Sequence, residues 1–457
     1  MTSRQRRFLL LAALLGAGSG LFDAAALQAA VASAADSSIA NAIETPPGDD
    51  LRATTAAPWN PPAPVPAAEP WETALRLPGR IVSLPFSALG YVTEQGLIAA
   101  ERSNFIPKVA AFALAPARLG LIVAPVSLGD RTGFGVITKL SLPRIRRFFT
   151  AEWDGSTLHY SRTRLEAGYG PARLEYGYDW RPQDRFFGIG LDSSPDDAAD
   201  YASRSENVRF DVKPAPIGRA PWRLLFGGWL GIRSIVLLHG REDGGRSVEE
   251  VFPSLDSMLD QQFNHVVSGT SVALDGRAGA PHWTHGTRVA IEAESFGDPP
   301  AAKRLFGPAQ IPSSFTRLRY EIETGFSFFP ADPRTIRLAV RAEDRKLNSG
   351  TIPLPDLAVL GGQHGLAGFE PRRFHDVDMA AGKLTYIFPV GKHFEIDAHT
   401  EAGGVYGDLW SDARLSTLRH SYGVALRPRG DRSVLGQFGV DWSTETWRVR
   451  YSLGGVE

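Results

Sequence analysis

From about residue 119 onward, apolar and polar positions alternate with a period of two, the mark of strands with two unlike faces. Leu174, Tyr176, Tyr178 and Trp180 alternate with Arg173, Glu175, Gly177 and Asp179. Leu318, Tyr320 and Ile322 alternate with Arg317, Arg319, Glu321 and Glu323; Ile336, Leu338 and Val340 alternate with Arg337, Ala339 and Arg341. Leu384, Tyr386 and Phe388 alternate with Lys383 and Thr385, and Phe394, Ile396 and Ala398 with Glu395, Asp397, His399 and Glu401. Trp447, Val449 and Tyr451 alternate with Arg448, Arg450 and Ser452. Charged second faces on so many strands imply a wide polar interior and an apolar exterior. The predicted fold class is therefore all-β, a transmembrane antiparallel β-barrel.

The pattern places strands near 118–126, 133–142, 145–154, 157–167, 171–181, 201–213, 221–237, 266–277, 285–296, 313–327 and 333–343. Five more follow near 379–389, 391–403, 415–428, 434–442 and 446–454. The total is about sixteen, an even count as such barrels require. Connections alternate in length. One set is mostly short, and the other holds the long segments 182–200, 238–265, 297–312 and 344–378. Short turns on the periplasmic side and long loops outside are the barrel rule, which puts both chain ends in the periplasm. Phe148, Phe149, Trp153, Trp222, Trp229, Tyr406 and Trp410 fall near predicted strand ends, where rings favour the headgroup layer.

The first third reads differently. Arg4, Arg6 and Arg7 precede the apolar run Phe8–Leu15, which predicts a secretory signal over 1–34. A Pro- and Ala-rich linker over 35–74 cannot bury a core. Over 75–113, Ile81, Leu84, Ala88, Leu89 and Val92 recur at helical spacing, followed by Gly96 and Ala99. This predicts a short amphipathic helical segment, at the membrane interface, in the pore or capping the periplasmic end. The barrel is expected over 114–457. No downstream apolar run reaches the length of a membrane helix, so spanning requires a closed barrel.

Composition changes the picture little. Net charge is −1, which gives no footing for nucleic acid. Cysteine is absent, as suits an exported protein in an oxidising compartment. Asp192, Asp196, Asp197 and Asp200 make an acidic outer loop without the spacing of a cation site, and His282 and His285 lack the further ligands that zinc needs. Neither a nucleophile elbow nor a P-loop occurs, so neither an enzyme nor a cofactor is expected.

The segment between the eleventh and twelfth of these runs, Gly361–Asp376, reads GGQHGLAGFEPRRFHD. It is Gly-rich, non-repetitive and too long for a tight turn. With Leu360-Gly361-Gly362, Leu366-Ala367-Gly368-Phe369, Arg373-Phe374-His375-Asp376 and the following Glu401-Ala402-Gly403-Gly404-Val405, it resembles the barrel domain of the BamA/TamA outer-membrane surface-antigen family. The resemblance extends more weakly over about the last 380 residues, and no signal of the family's POTRA repeats is present. It implies that this loop folds back into the lumen. The lumen-loop residues are then Gly361, Gly362, Leu366, Ala367, Gly368, Phe369, Arg373, Phe374 and Asp376. The family's loop Arg, which pairs with a wall acid, is Ala367 here, and the matching acid is Glu401. Arg373 is the expected substitute, meeting Glu395, Asp397 or Glu401.

The resemblance implies a role in outer-membrane protein assembly, insertion or translocation in a Gram-negative bacterium. The partners would be outer-membrane lipid, lipopolysaccharide and unfolded or translocated protein clients. A weak seam between first and last strands, marked by Gly120, Pro125, Gly454 and Gly455, would open laterally. Two other readings stay open. Arg317, Arg319, Arg337, Arg341, Arg448 and Arg450 could line a passive anion-preferring pore. Alternatively, the outer loops could serve a structural or adhesive surface protein.

Overall fold

The computed structural model describes residues 120–126, 135–141, 148–240, 245–277, 285–297, 311–328, 334–390, 394–428 and 436–453. The expected signal, linker and helical segment lie outside them. In chain order the strands are β1 (Leu121–Val126), β2 (Gly135–Leu140), β3 (Phe149–Ser156), β4 (Ser161–Tyr169), β5 (Ala172–Phe186), β6 (Ala199–Val212) and β7 (Arg223–His239). After the two-residue β8 (Arg246–Ser247) come β9 (Gln262–Asp275), β10 (Gly286–Gly297), β11 (Ser313–Phe328) and β12 (Arg334–Gly350). The short β13 (Ala358–Leu360) and β14 (Phe374–Asp376) precede β15 (Asp378–Val390), β16 (Phe394–Tyr406), β17 (Arg419–Pro428), β18 (Gly436–Ser443) and β19 (Trp447–Leu453).

Seventeen strands form one sheet. β8 is a parallel addition to the end of β6, and the other sixteen make a continuous antiparallel meander, each paired with the next in sequence. β1 and β19, at opposite ends of the meander, lie side by side, which closes the ring. Among the described residues no ladder register joins them. No described helix is long and apolar enough to cross a membrane.

The faces of the sheet are sorted by polarity. On β11 and β12, Ile322, Leu338 and Val340 are exposed on the outside, while Glu343 and Arg345 are buried on the inside. The inner wall carries Asp154, Asp211, Glu294, Asp397, His399, Glu401, Arg427 and Asp441, all buried. A core of charges under an exposed apolar surface suits lipid outside and water or ionic partners within. The chain thus folds as a transmembrane antiparallel β-barrel.

Boundaries move in places. β12 runs to Gly350 rather than 343 because β11 continues beside it past a bulge at Ser314/Phe315. β9 begins at Gln262, four residues earlier than its apolar run, because β7 offers a pairing edge out to Val236. One of the rings expected at the headgroup layer lies elsewhere. Trp229 faces the lumen, buried under the Arg209 guanidinium 4.7 Å from its ring. Gly269 opposite it leaves the room, since a Cβ there would meet the indole at 2.3 Å.

Candidate functional site

The segment between β12 and β15 turns inward and packs on the inner wall. It has a ladder of its own, β13 against β14, with Ala358 opposite Asp376 and Leu360 opposite Phe374. Between these strands the backbone turns through Gly361, Gly362 and Gly365, all at positive φ, with the Gly361 N–H donating to the Gly365 carbonyl at 2.8 Å. Leu360, Leu366, Phe369 and Phe374 form a dry cluster with Met379 of β15 and Val405 of β16. The cluster ties the loop to the wall by burial rather than by charge.

Polar contacts fix its direction. Glu401 of β16 accepts the Ala367 N–H and the Ser421 hydroxyl, and pairs with Lys383 of β15 at 3.0 Å. Its countercharge therefore comes from the neighbouring strand, and the loop offers a backbone donor at the position where the family resemblance would place an arginine. Gly368 lies against the hairpin of β18 and β19. The Ser443 hydroxyl donates to the Gly368 carbonyl at 2.9 Å, and Arg448 donates to the Phe369 carbonyl at 2.8 Å. A Cβ on Gly368 would stand 2.4 Å from the Trp442 carbonyl, so the approach needs glycine.

Arg373 is 1% exposed and lies between the Phe187 and Phe374 rings. Its guanidinium grips Glu445, in the turn joining β18 to β19, at 2.8 and 3.1 Å, and donates to the Ser193 hydroxyl at 2.8 Å. The expected wall partners are corrected accordingly. Glu395 pairs with Arg427, and Asp397 with Arg427 and His399. Only Glu401 of the three touches the loop, at Ala367 rather than Arg373. Glu445 gave no sign in the sequence, since a single acid in a polar turn acquires meaning only once the fold brings residue 373 beside it.

A second anchor lies at the start of the loop. Asp356 is buried and pairs with Arg233 of β7 at 2.6 Å. Burial alone would push its carboxyl up, but Arg233, His265 and Arg317 outweigh that and hold it below the ordinary range. The outer segment between β5 and β6 closes over the loop. Ile189 bridges His375, and the Gly190 N–H donates to the His375 carbonyl at 2.8 Å. The His375 ring is wholly buried, edge-on to Phe186. Burial first, then Arg372, His364 and Arg373, hold its pKa well below the ordinary imidazole value, so the ring is neutral. Asp376 is pushed the other way, upward, by burial.

The basic positions all fall on lumen-facing register, but they do not form a bare cationic lining. Arg317 pairs with Glu294, Arg319 with Glu292 and Glu343, Arg341 with Glu343, and Arg450 with Asp441. Arg448 serves the loop. Arg337 stands on the same wall, within electrostatic reach of the Arg427 cation and of Glu395, Asp397 and Glu323.

No protein-family model and no curated protein sequence matches this chain. Among solved structures, BamA from Haemophilus ducreyi lacking POTRA domains 1-3 superposes with a TM-score of 0.52 over 76% of this chain and 78% of that one, at 11% identity. The chain has the fold of a BamA-type barrel. CdiB from Escherichia coli matches at a TM-score of 0.46 and 11% identity over 72% of this chain and 61% of its own. At this identity the likeness to BamA carries the fold alone.

Proposed function

We propose that this BamA/TamA-type barrel acts at the outer membrane of a Gram-negative bacterium, in the assembly, insertion or translocation of other proteins. The observation that supports the reading is the place where the inward loop is tied. Gly368, Phe369 and Arg373 all engage the β18–β19 hairpin, and β19 is the strand that meets β1 without a ladder among the described residues. A loop that plugs the lumen and grips the last hairpin couples occupancy of the lumen to the weakest edge of the ring. A client strand that pairs with the free edge of β19 or β1 would be stabilised by main-chain hydrogen bonds. Outer-membrane lipid and lipopolysaccharide would surround the exposed apolar belt.

Reconstitution tests this directly. Proteoliposomes containing the protein should speed the folding of an unfolded outer-membrane barrel client. In planar bilayers the protein should be mostly closed with rare large openings. A steady open conductance with no effect on client folding would favour a passive pore instead. The pairing of Arg317, Arg319, Arg341 and Arg450 with carboxylates argues against strong anion preference in such a pore.

A further inference from the structure

One patch of the outer wall breaks the rule that apolar side chains there are exposed. Lys383, Glu395, Asp397 and Glu401 mark the lumen side of β15 and β16, as their ion pairs show. Side chains alternate across a strand, so Phe388 and Ile396, which face each other across the ladder, point outward. Phe388 is only 5% exposed, Val390 3% and Ile396 1%, whereas Leu384, two pleat repeats along the same face of β15, is 46% exposed. Tyr422 on β17 is 47% exposed, and Leu338 on β12 40%. The buried patch is thus confined to the end of the wall where β15 finishes and β16 begins. Its members, with Tyr386, Phe394 and Leu426, all come from β15, β16 and β17. From the neighbouring strands, Arg334 at the start of β12 sets its guanidinium 5.9 Å from the Phe388 ring and donates to the Tyr386 hydroxyl, and Phe328 at the end of β11 stacks on Tyr386. Neither reaches over Val390 and Ile396 in any described contact, and no described loop or helix contributes to the patch.

The position of the patch brings it within reach of the chain that precedes β1. β1 starts at Leu121, at the same end of the barrel as the end of β15 and the start of β16, as the antiparallel order from β1 to β19 requires. β1 adjoins β19, so β17 lies three strands from β1 around the ring. At about 4.8 Å per strand that is roughly 15 Å. The stretch between Ala99 and Leu121 can extend to about 70 Å, several times what is needed. Just before it stands the stretch whose apolar residues recur at helical spacing, Ile81, Leu84, Ala88, Leu89 and Val92.

We propose that residues 81–99 dock their apolar face on the outer wall of β15–β17 at the chain-end rim, covering Phe388, Val390 and Ile396. The segment is then an outside brace a few strands from the β1–β19 edge, and it lies outside the lumen. Burial of the three wall residues follows from apolar contact, which needs no specific polar partner.

Photo-crosslinking of the full chain in phosphatidylethanolamine/phosphatidylglycerol vesicles tests the proposal. With p-benzoylphenylalanine replacing Phe388, irradiation and peptide mapping should give an adduct to a peptide within 81–99, and the same probe replacing Leu384 should give none. The converse variant, with the probe replacing Leu89, leaves the wall intact, so it remains informative if the Phe388 variant fails to fold. It should give adducts to peptides from β15–β17. Adducts with lipid alone, adducts between two copies of the chain, or a Leu89 probe that marks lumen-wall peptides would overturn it.

Discussion

Arg373 and Glu445 are 72 positions apart in sequence and meet at 2.8 Å, tying the lumen loop to the turn between the last two strands. The guanidinium is almost fully buried while the carboxylate keeps a fifth of its side chain exposed. Removing the acid therefore strands a buried charge, whereas removing the base leaves an acid that water can reach. Glu445→Ala is expected to destabilise the folded barrel by about 3 kcal/mol, the cost typical of orphaning one partner of a buried pair. Arg373→Met should cost less. Thermal unfolding in detergent, read as loss of the fast-migrating folded band, orders the two.

Gly368→Ala tests the closeness of loop and hairpin. A methyl group 2.4 Å from the Trp442 carbonyl cannot be accommodated without moving the backbone. Overpacking of this kind costs about 1–3 kcal/mol. The loop should dissociate from the hairpin, and in planar bilayers the open probability should rise several-fold over the native chain. Gly362→Ala, in a part of the loop away from the hairpin, should not reproduce that gain in step with its stability loss.

The loop should also be sensitive to acid. The docked His375 pKa lies well below the ordinary value, and in the undocked loop it returns to about 6.5. Above that pH both states are neutral and His375 contributes no pH dependence. As pH falls through about 6.5, the undocked state takes up a proton and the docked one does not, so docking weakens by up to about 1.4 kcal/mol per pH unit. Hydrogen exchange at 361–376 should quicken as pH is lowered from 7.5 to 5.5, after correction for intrinsic rates. In His375→Phe the slope should flatten. An unchanged slope in that variant would remove His375 from the account.

Charge balance in the lumen gives a fourth expectation. Glu343 is shared by Arg319, Arg341 and Arg345. Glu343→Gln leaves three guanidinium groups with one carboxylate fewer. Reversal potentials measured across a salt gradient during openings should shift toward anion selectivity relative to the native chain, most clearly at low ionic strength, where screening is weakest.

Much of this molecule was legible in the chain because polarity and period coincide. Arg317, Arg319, Leu318 and Tyr320 declare strand and facing at once, and the sixteen-strand ring follows from repeating that pattern. The loop around Gly361 was legible from its glycines and its family resemblance. Its partners were not. Arg373 could have met any lumen acid, and Glu445, Ser193 and Ser443 become candidates only when the β18–β19 hairpin is placed beside the loop. Trp229 misled for a related reason. A tryptophan near a strand end suits the headgroup layer, but here Gly269 on the neighbouring strand opens a niche for it on the inner face. Asp356 and Arg233, 123 positions apart, share no local pattern at all.

The central claim, apolar side chains outward and charged ones inward around a closed ring, can be read by cysteine scanning, since the chain has no native cysteine. Single variants Ile322→Cys, Leu338→Cys, Arg319→Cys and Arg337→Cys would be reconstituted in lipid vesicles and exposed to a membrane-impermeant, water-soluble thiol reagent. The account predicts labelling at 319 and 337, with 322 and 338 protected and, when carrying a fluorophore, quenched by brominated lipid chains. Labelling at 322 and 338 with protection at 319 and 337, in a protein that stays soluble without detergent, would contradict it.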